Sequence, residues 1–187
     1  MTHLDEMTRK IAQLRTLGAV EELERRWDEG DDFAERYVDS RLTLPEGAEL
    51  EGDYPGGLKE LCLATNCAEF GDVAFRRESD FRHQTPVDYL GEPIDDRERL
   101  QIGDVGEQAI LLDLASGEVI VYWYTYFKYG WDDGIMIRCA DVPELVDTVA
   151  LGPRYKELYG PPDKQSSRRW EQDPWYVYLG ETGMLDH

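Results

Sequence analysis

The sequence predicts an α+β fold, and three observations lead to this prediction. Apolar residues recur at helical spacing near the N-terminus, alternating apolar residues between 110 and 137 indicate consecutive strands, and a helical pattern returns after Asp141. The chain has 187 residues, of which 41% are hydrophobic and 11% aromatic. That content can bury a sizeable core, which excludes wholesale disorder and suits a single domain over residues 1–187.

Residues 1–42 are predicted to form a helical N-terminal region. Thr2 can cap the first helix and Gly18 can follow its end. The apolar residues of this helix recur at intervals of three and four, as Leu4, Met7, Ile11 and Leu14. A second amphipathic helix is expected at 19–27, and after a break at 30–32 a short third helix should reach Leu42.

The next part of the chain is predicted to be rich in loops. Residues 43–57 contain two prolines and four glycines, which is typical of a loop. A short buried helix is expected at 58–63, with Asn66 beyond its end in a left-handed conformation. A short strand is predicted at 73–75, and residues 76–99 should be mostly loop because they are charged and have weak periodicity.

The strongest β signal lies in the middle of the chain. Apolar residues alternate over 110–114, and Ala-Ser-Gly at 115–117 can form a tight hairpin loop. Residues 118–129 then predict a long strand that is apolar or aromatic on both faces, which is typical of a central strand covered on both sides. A turn at 131–134 and a further strand at 135–137 follow.

The C-terminal part is predicted to add one helix and an aromatic segment. Asp141 can cap a helix that has Pro143 in its first turn and ends at Gly152. Residues 152–187 carry too many tyrosines and tryptophans for a free tail, so we expect them to wrap back onto the domain.

The charge of the chain restricts its partners. There are 20 Lys and Arg residues against 40 Asp and Glu, so the net charge is −20, and the excess of acids is spread over residues 1–150. This charge repels nucleic acids and anionic membranes and attracts basic proteins. No apolar run approaches the roughly 20 residues that cross a bilayer, and the N-terminus does not resemble a secretion signal, so a cytoplasmic location is expected.

The sequence contains no pattern that is typical of a catalytic, cofactor or metal site. The three cysteines are interpreted as free thiols, and His83 lies among arginines in a charged segment that does not favour catalysis. We therefore predict a protein that is not an enzyme and has no cofactor and no metal. The least favoured alternative is an enzyme that uses acids such as Asp104, Asp113 or Asp133.

Aromatic and acidic residues at the end of the long strand form the predicted partner-binding site. Rigid aromatic side chains beside carboxylates suit the binding of a basic protein surface. The site consists of three tyrosines on one side of the strand and three residues of the following turn: Tyr122, Tyr124, Tyr126, Trp131, Asp132 and Asp133. The alternative is that the strand tyrosines belong to the ordinary core.

Two runs in the centre of the chain carry a resemblance to a known family. They are Leu100-Gln101-Ile102-Gly103-Asp104-x-Gly106 and Ile110-Leu111-Leu112-Asp113-Leu114-x-x-Gly117-Glu118-Val119, with the predicted helix at 141–150 after them. This arrangement resembles the signature of the SUKH superfamily, the Smi/Knr-like proteins. Upstream, 58–75 resembles the family's helix, turn and first strand, with Asn66-Cys67 in place of Asn-Gly. The resemblance covers about 55–151.

The resemblance implies an α+β domain with a mostly antiparallel sheet flanked by helices, here with residues 1–42 as an N-terminal extension. Bacterial members are typically immunity proteins that bind and neutralise toxins, often nucleases or deaminases, in the cytoplasm. No catalytic residues are associated with the fold. We therefore expect a toxin-binding protein. The alternative is a scaffold or regulator that binds a self protein, and that self protein can be a second copy of this chain.

Overall fold

The fold is described from a computed structural model, which covers residues 1–28, 41–123, 134–160 and 169–185. Helices flank one antiparallel sheet, which confirms the prediction of an α+β fold with a mostly antiparallel sheet. Within these ranges, no helix combines the length and the apolar character that a membrane crossing requires.

The N-terminal helices form as the spacing predicts. Helix α1 (His3–Thr16) is capped by Thr2, whose hydroxyl accepts a hydrogen bond from the Asp5 amide while the Asp5 carboxylate accepts one from the Thr2 amide. Helix α2 spans Ala19–Asp28. The predicted apolar face of α1 is buried except for Leu4, which is exposed, and Lys10 is buried instead.

Short strands follow the helices. They are β1 (Arg41–Thr43), β2 (Glu69–Gly71), β3 (Val73–Phe75) and the two-residue β4 (Arg82–His83), with helix α3 (Leu58–Ala64) between β1 and β2. The prediction that a helix reaches Leu42 is wrong at that residue, because Leu42 lies in β1 opposite Phe70 of β2. Residues 29–40 lie outside the described ranges. The sequence does not predict β1 and β2, because each has one large apolar residue among its three, Leu42 and Phe70, whereas the predicted β3 has Val73 and Phe75 on one face.

The turn after α3 differs from the prediction in one detail. Its left-handed residue is Cys67, with φ of 55°, and not Asn66. Cys67 is the position at which the resembled family has glycine, and glycine is the residue that this conformation favours.

Four longer strands form the centre of the sheet: β5 (Arg99–Val105), β6 (Gln108–Asp113), β7 (Val119–Tyr122) and β8 (Ile135–Cys139). The strand order is β1-β2-β3-β5-β6-β7-β8, with β4 paired to β5 and all pairs antiparallel. Strand β7 lies between β6 and β8 and is buried along its whole length, as predicted for a central strand. The predicted continuation over 124–129 lies outside the described residues.

The hairpin loop between β6 and β7 forms as predicted. Gly117 has φ of 82°, and the Asp113 carboxylate accepts hydrogen bonds from the amides of Ala115 and Ser116. A side chain at Gly117 would collide with the backbone of Gly56, so this loop also needs glycine for close packing.

The C-terminal elements pack on the sheet. Asp141 caps helix α4 (Val142–Glu144), which continues as a π-helical turn at Leu145–Ala150. Apolar spacing over six residues does not distinguish a π turn from the α-helix that was predicted. Two 3-10 helices (Pro153–Tyr159 and Arg169–Gln172) and helix α5 (Pro174–Glu181) follow. Trp175 of α5 is completely buried, and its indole Nε1 donates to the Ala150 carbonyl oxygen at 2.8 Å.

The sheet has two apolar faces, because successive side chains of a strand point to opposite sides. The side chains on one face, such as that of Val121, belong to the main core and pack with the helices. The other face carries a smaller cluster with Ile94 against its edge, formed by Ala109, Leu111, Ile120, Tyr122 and Ile135.

Candidate functional site

Tyr122 is the only residue of the predicted binding site that lies in the described part of the chain. It is 4% exposed and belongs to the smaller apolar cluster. Its hydroxyl donates to the Val87 carbonyl oxygen at 2.5 Å and accepts from the Val87 amide at 2.9 Å. Burial raises the pKa of this hydroxyl, so it remains protonated and able to donate. Tyr122 therefore fits the alternative that the strand tyrosines belong to the core and not to a binding site, because a buried side chain cannot contact a partner directly.

The remaining predicted site residues lie outside the described residues. They are Tyr124, Tyr126, Trp131, Asp132 and Asp133. Their role in partner binding stays a prediction.

The Tyr122 hydroxyl fastens a narrow hairpin, residues 86–94, to the smaller apolar face. Within this hairpin the backbones of Val87 and Pro93 form an antiparallel bridge. The Asp88 amide donates to the Glu92 carbonyl at 2.8 Å, and the Ile94 amide donates to the Pro86 carbonyl at 3.1 Å. This part of the segment 76–99, which the sequence predicts to be mostly loop, therefore has a hydrogen-bonded structure of its own.

Asp88 organises the tip of the hairpin. Its Oδ1 accepts hydrogen bonds from the amides of Leu90 and Glu92, at 2.8 and 3.0 Å, and its carbonyl accepts from the Gly91 amide at 3.0 Å. Gly91 has φ of 84°, a conformation that glycine adopts without strain. An aspartate that bonds to amides two and four residues ahead holds a turn in one shape.

The tip of the hairpin exposes two large apolar side chains next to each other. Tyr89 is 63% exposed and Leu90 is 69% exposed, among the highest values for large hydrophobic residues in the described part of the chain. Their backbone is held by Asp88, so the exposure does not come from a loosely ordered loop. The sequence signal that could have found this feature is Asp-Tyr-Leu-Gly-Glu, in which Asp and Gly at turn positions enclose two apolar residues.

The hairpin itself contains two acids and no Lys or Arg. The acids are Asp88, which organises the tip, and Glu92, which is exposed. Asp95, just beyond the hairpin, is paired with Arg97 and Arg99. The hairpin therefore carries an excess of negative charge.

The chain that leaves the hairpin at Asp95 is held by a buried arginine. Arg99 is 1% exposed, and its Nη1 and Nη2 donate to the two carboxylate oxygens of Asp95 at 2.6 and 2.7 Å. These hydrogen bonds lower the pKa of Asp95 to about 2, so the pair persists at neutral pH. Tyr122 and Arg99 together attach the segment 86–95 to the sheet at both ends.

Removing the Tyr122 hydroxyl should loosen the hairpin without disturbing the apolar cluster. Tyr122→Phe keeps the ring but leaves the amide and carbonyl of Val87 without their partner. We expect a loss of about 1–2 kcal/mol in the free energy of unfolding and faster hydrogen exchange at the Val87 amide. Thermal unfolding and hydrogen exchange with mass spectrometry measure the two effects. Leu90→Ala is the control, and equal exchange at Val87 in both variants would contradict the anchoring role.

The candidate catalytic acids do not meet in the structure. Asp104 lies opposite Ala109 and Asp113 lies opposite Arg99, so the two acids stand at opposite ends of the β5–β6 pair. Asp104 accepts two hydrogen bonds from Arg76 at 2.7 and 2.9 Å, and Asp113 closes the hairpin loop described above. Asp133 lies outside the described residues.

The other potentially reactive side chains are held in structural settings. Burial raises the pKa of Cys62 to about 11 and that of Cys139 to about 12, which keeps both thiols protonated at neutral pH. These two and Cys67 are free, as predicted. The exposed His83 lies 3.2 Å from Glu98. In the ranges that the structure describes, no three His, Cys, Asp or Glu residues converge as a metal site would require.

Comparison of the chain with family models, with curated proteins and with solved structures gave no match. The resemblance to the SUKH superfamily therefore rests on the sequence motifs alone.

Proposed function

We propose that this protein is a non-enzymatic binding module, a cytoplasmic immunity protein that neutralises a toxin of the nuclease or deaminase type by direct binding. The support from the sequence is the resemblance of residues 55–151 to the SUKH superfamily. The support from physical chemistry is the charge, which a basic protein partner complements.

The observation that carries the proposal is the net charge of −20 on a chain whose acids are spread over its first 150 residues. A nuclease toxin must carry Lys and Arg to hold phosphates. Opposite charges then accelerate association, up to about 10⁸–10⁹ M⁻¹s⁻¹ at low salt. An inhibitor that must act before damage accumulates benefits from such a rate.

Co-expression tests the proposal. Bacterial cells that express a basic nuclease or deaminase toxin domain encoded beside this gene should survive when this protein is also made. A scaffold or regulator of a self protein would not rescue them. Cells that die at the same rate with and without this protein would contradict the proposal.

The association rate with the rescued toxin should fall steeply as salt is added. Ions screen the attraction between exposed charges over a Debye length of about 8 Å at physiological ionic strength. Raising NaCl from low to physiological concentration should therefore slow association by about tenfold or more, with little change in the dissociation rate. Stopped-flow mixing measures this, and a rate that hardly changes would remove the electrostatic part of the proposal.

Homo-oligomer formation is the second candidate, because exposed apolar side chains such as Tyr89 and Leu90 can also bind a second copy. Two chains with a charge of −20 each repel one another, which disfavours this arrangement relative to a basic partner.

A further inference from the structure

We infer that the tip of the 86–94 hairpin is the docking surface, and that Tyr89 and Leu90 enter an apolar pocket rimmed by Lys and Arg side chains on a partner protein. This inference rests on the proposed function and adds a site to it. The site differs from the six residues that the sequence predicts, because it lies on a separate segment and is attached to the sheet through Tyr122.

The tip of the hairpin is held in one conformation. Asp88 holds the amides of Leu90 and Glu92, and the hairpin is attached to the sheet by Tyr122 at one end and Arg99 at the other. A segment that already has its bound conformation loses little conformational freedom on binding. The apolar side chains are therefore presented in a form that favours affinity.

The side chains of the tip are suited to the centre of an interface. Tyrosine is enriched among the residues that dominate binding energy, because a rigid ring buries a large apolar area and its hydroxyl can donate a hydrogen bond. Leu90 adds a second apolar group beside it. Both side chains lose contact with water only when a concave apolar surface covers them.

The charge of the hairpin determines the kind of partner. With two acids and no Lys or Arg over residues 86–94, the hairpin repels phosphate groups of nucleic acids and anionic lipids. It also repels the same tip of a second copy. A pocket whose rim carries Lys or Arg would pair with Glu92, which is exposed and lies two residues after Leu90.

The experiment uses the full chain in its cell of origin, with a photo-crosslinking amino acid in place of Leu90. The same amino acid in place of Leu63 is the control, because Leu63 is also an exposed leucine, 57% accessible, but lies on α3 at the helical face of the sheet. The protein captured at position 90 and not at 63 is then purified. Its affinity is measured for the wild type and for three variants.

The first variant, Tyr89→Ala with Leu90→Ala, should bind the captured protein about 30-fold or more weakly, because two anchoring side chains are removed. The second, Leu17→Ala with Leu63→Ala, should bind like the wild type. The third replaces Trp131, Asp132 and Asp133 by Ala together and so removes the turn of the binding site that the sequence predicts; loss of binding in this variant, with the tip variant binding like the wild type, would overturn the inference. Unchanged thermal midpoints would show that all three variants are folded.

Several outcomes would overturn the inference. In the crosslinking experiment they are the capture of no protein at position 90, the capture of the same proteins at 90 and 63, and the capture of a second copy of this chain or of an acidic protein. In the affinity measurement the contradicting outcome is binding that is lost only in the 131–133 variant. The proposed function has a separate outcome. If the tip variant rescues cells from the toxin as well as the wild type does, the docking site is contradicted and the proposed function is not. If the captured partner is a basic protein that is not a toxin, the proposed function is contradicted and the docking site is not.

Discussion

Val121→Asp is expected to unfold the protein. Val121 is completely buried in β7, between Ile110 of β6 and Ile137 of β8. An aspartate there would place an unpaired carboxylate in the middle of the main core. Such a change costs more than about 4 kcal/mol, against a total stability of about 5–15 kcal/mol for a typical domain.

Circular dichroism and size-exclusion chromatography measure the result of the Val121 substitution. The control is Leu90→Asp, which introduces the same side chain at a position that is 69% exposed and should leave the protein folded. The two variants separate loss of fold from loss of binding, because Leu90→Asp alters only the proposed docking tip. A folded Val121→Asp protein with an unchanged thermal midpoint would contradict the placement of β7 in the core.

Lys10→Ala should be the most destabilising removal of a charged side chain in α1. Lys10 is 1% exposed, and its Nζ donates to the Asp147 carboxylate at 2.8 Å and to the carbonyl oxygens of Asp147 and Leu151 at 2.8 and 2.9 Å. All three of its donors are therefore engaged, and they join α1 to the π-helical turn. Removing one partner of a buried ion pair costs about 3–5 kcal/mol. We expect a loss near the lower value, because Asp147 keeps its contact with His3, whose Nδ1 lies 2.8 Å from the Asp147 Oδ2.

The control for Lys10 is its neighbour Arg9. Arg9 is exposed and pairs with Glu6 one turn away, at 2.7 Å, so Arg9→Ala should change the free energy of unfolding by at most about 1 kcal/mol. Urea denaturation compares the two variants. The double variant Lys10→Met with Asp147→Leu should lose less than the sum of the single changes, because no buried charge is left alone. Equal decreases in the free energy of unfolding for Lys10→Ala and Arg9→Ala would show that the buried pair does not stabilise the packing of α1.

The prediction from sequence succeeds where the local pattern and the final burial agree. The Thr2 cap, the hairpin loop at Gly117 and the buried central strand at Val121 all follow from signals within a few residues. It fails where a strand of three residues contains one large apolar residue, as at β1 and β2. It also assigns Lys10 no role, because the ion pair with Asp147 joins residues that are far apart in the sequence.

The candidate site was also predictable only as far as local sequence patterns reach. The sequence identifies Tyr122 as a tyrosine in a central strand, but whether such a ring meets solvent depends on what covers that face of the sheet. The structure places the 86–94 hairpin there and bonds Val87 to the Tyr122 hydroxyl. Two exposed apolar residues, Tyr89 and Leu90, therefore lie at the far end of the covering segment, whereas Tyr122 is buried beneath it.

The fold class, the charge and most helix and strand positions follow from local sequence, because amphipathic spacing, caps and turn residues act between neighbours along the chain. The folded structure is needed to know which polar groups are buried, which apolar groups are exposed, and which segment covers the second face of the sheet. These properties depend on contacts between distant segments, such as Lys10 with Asp147 and Tyr122 with Val87, and no local pattern encodes them.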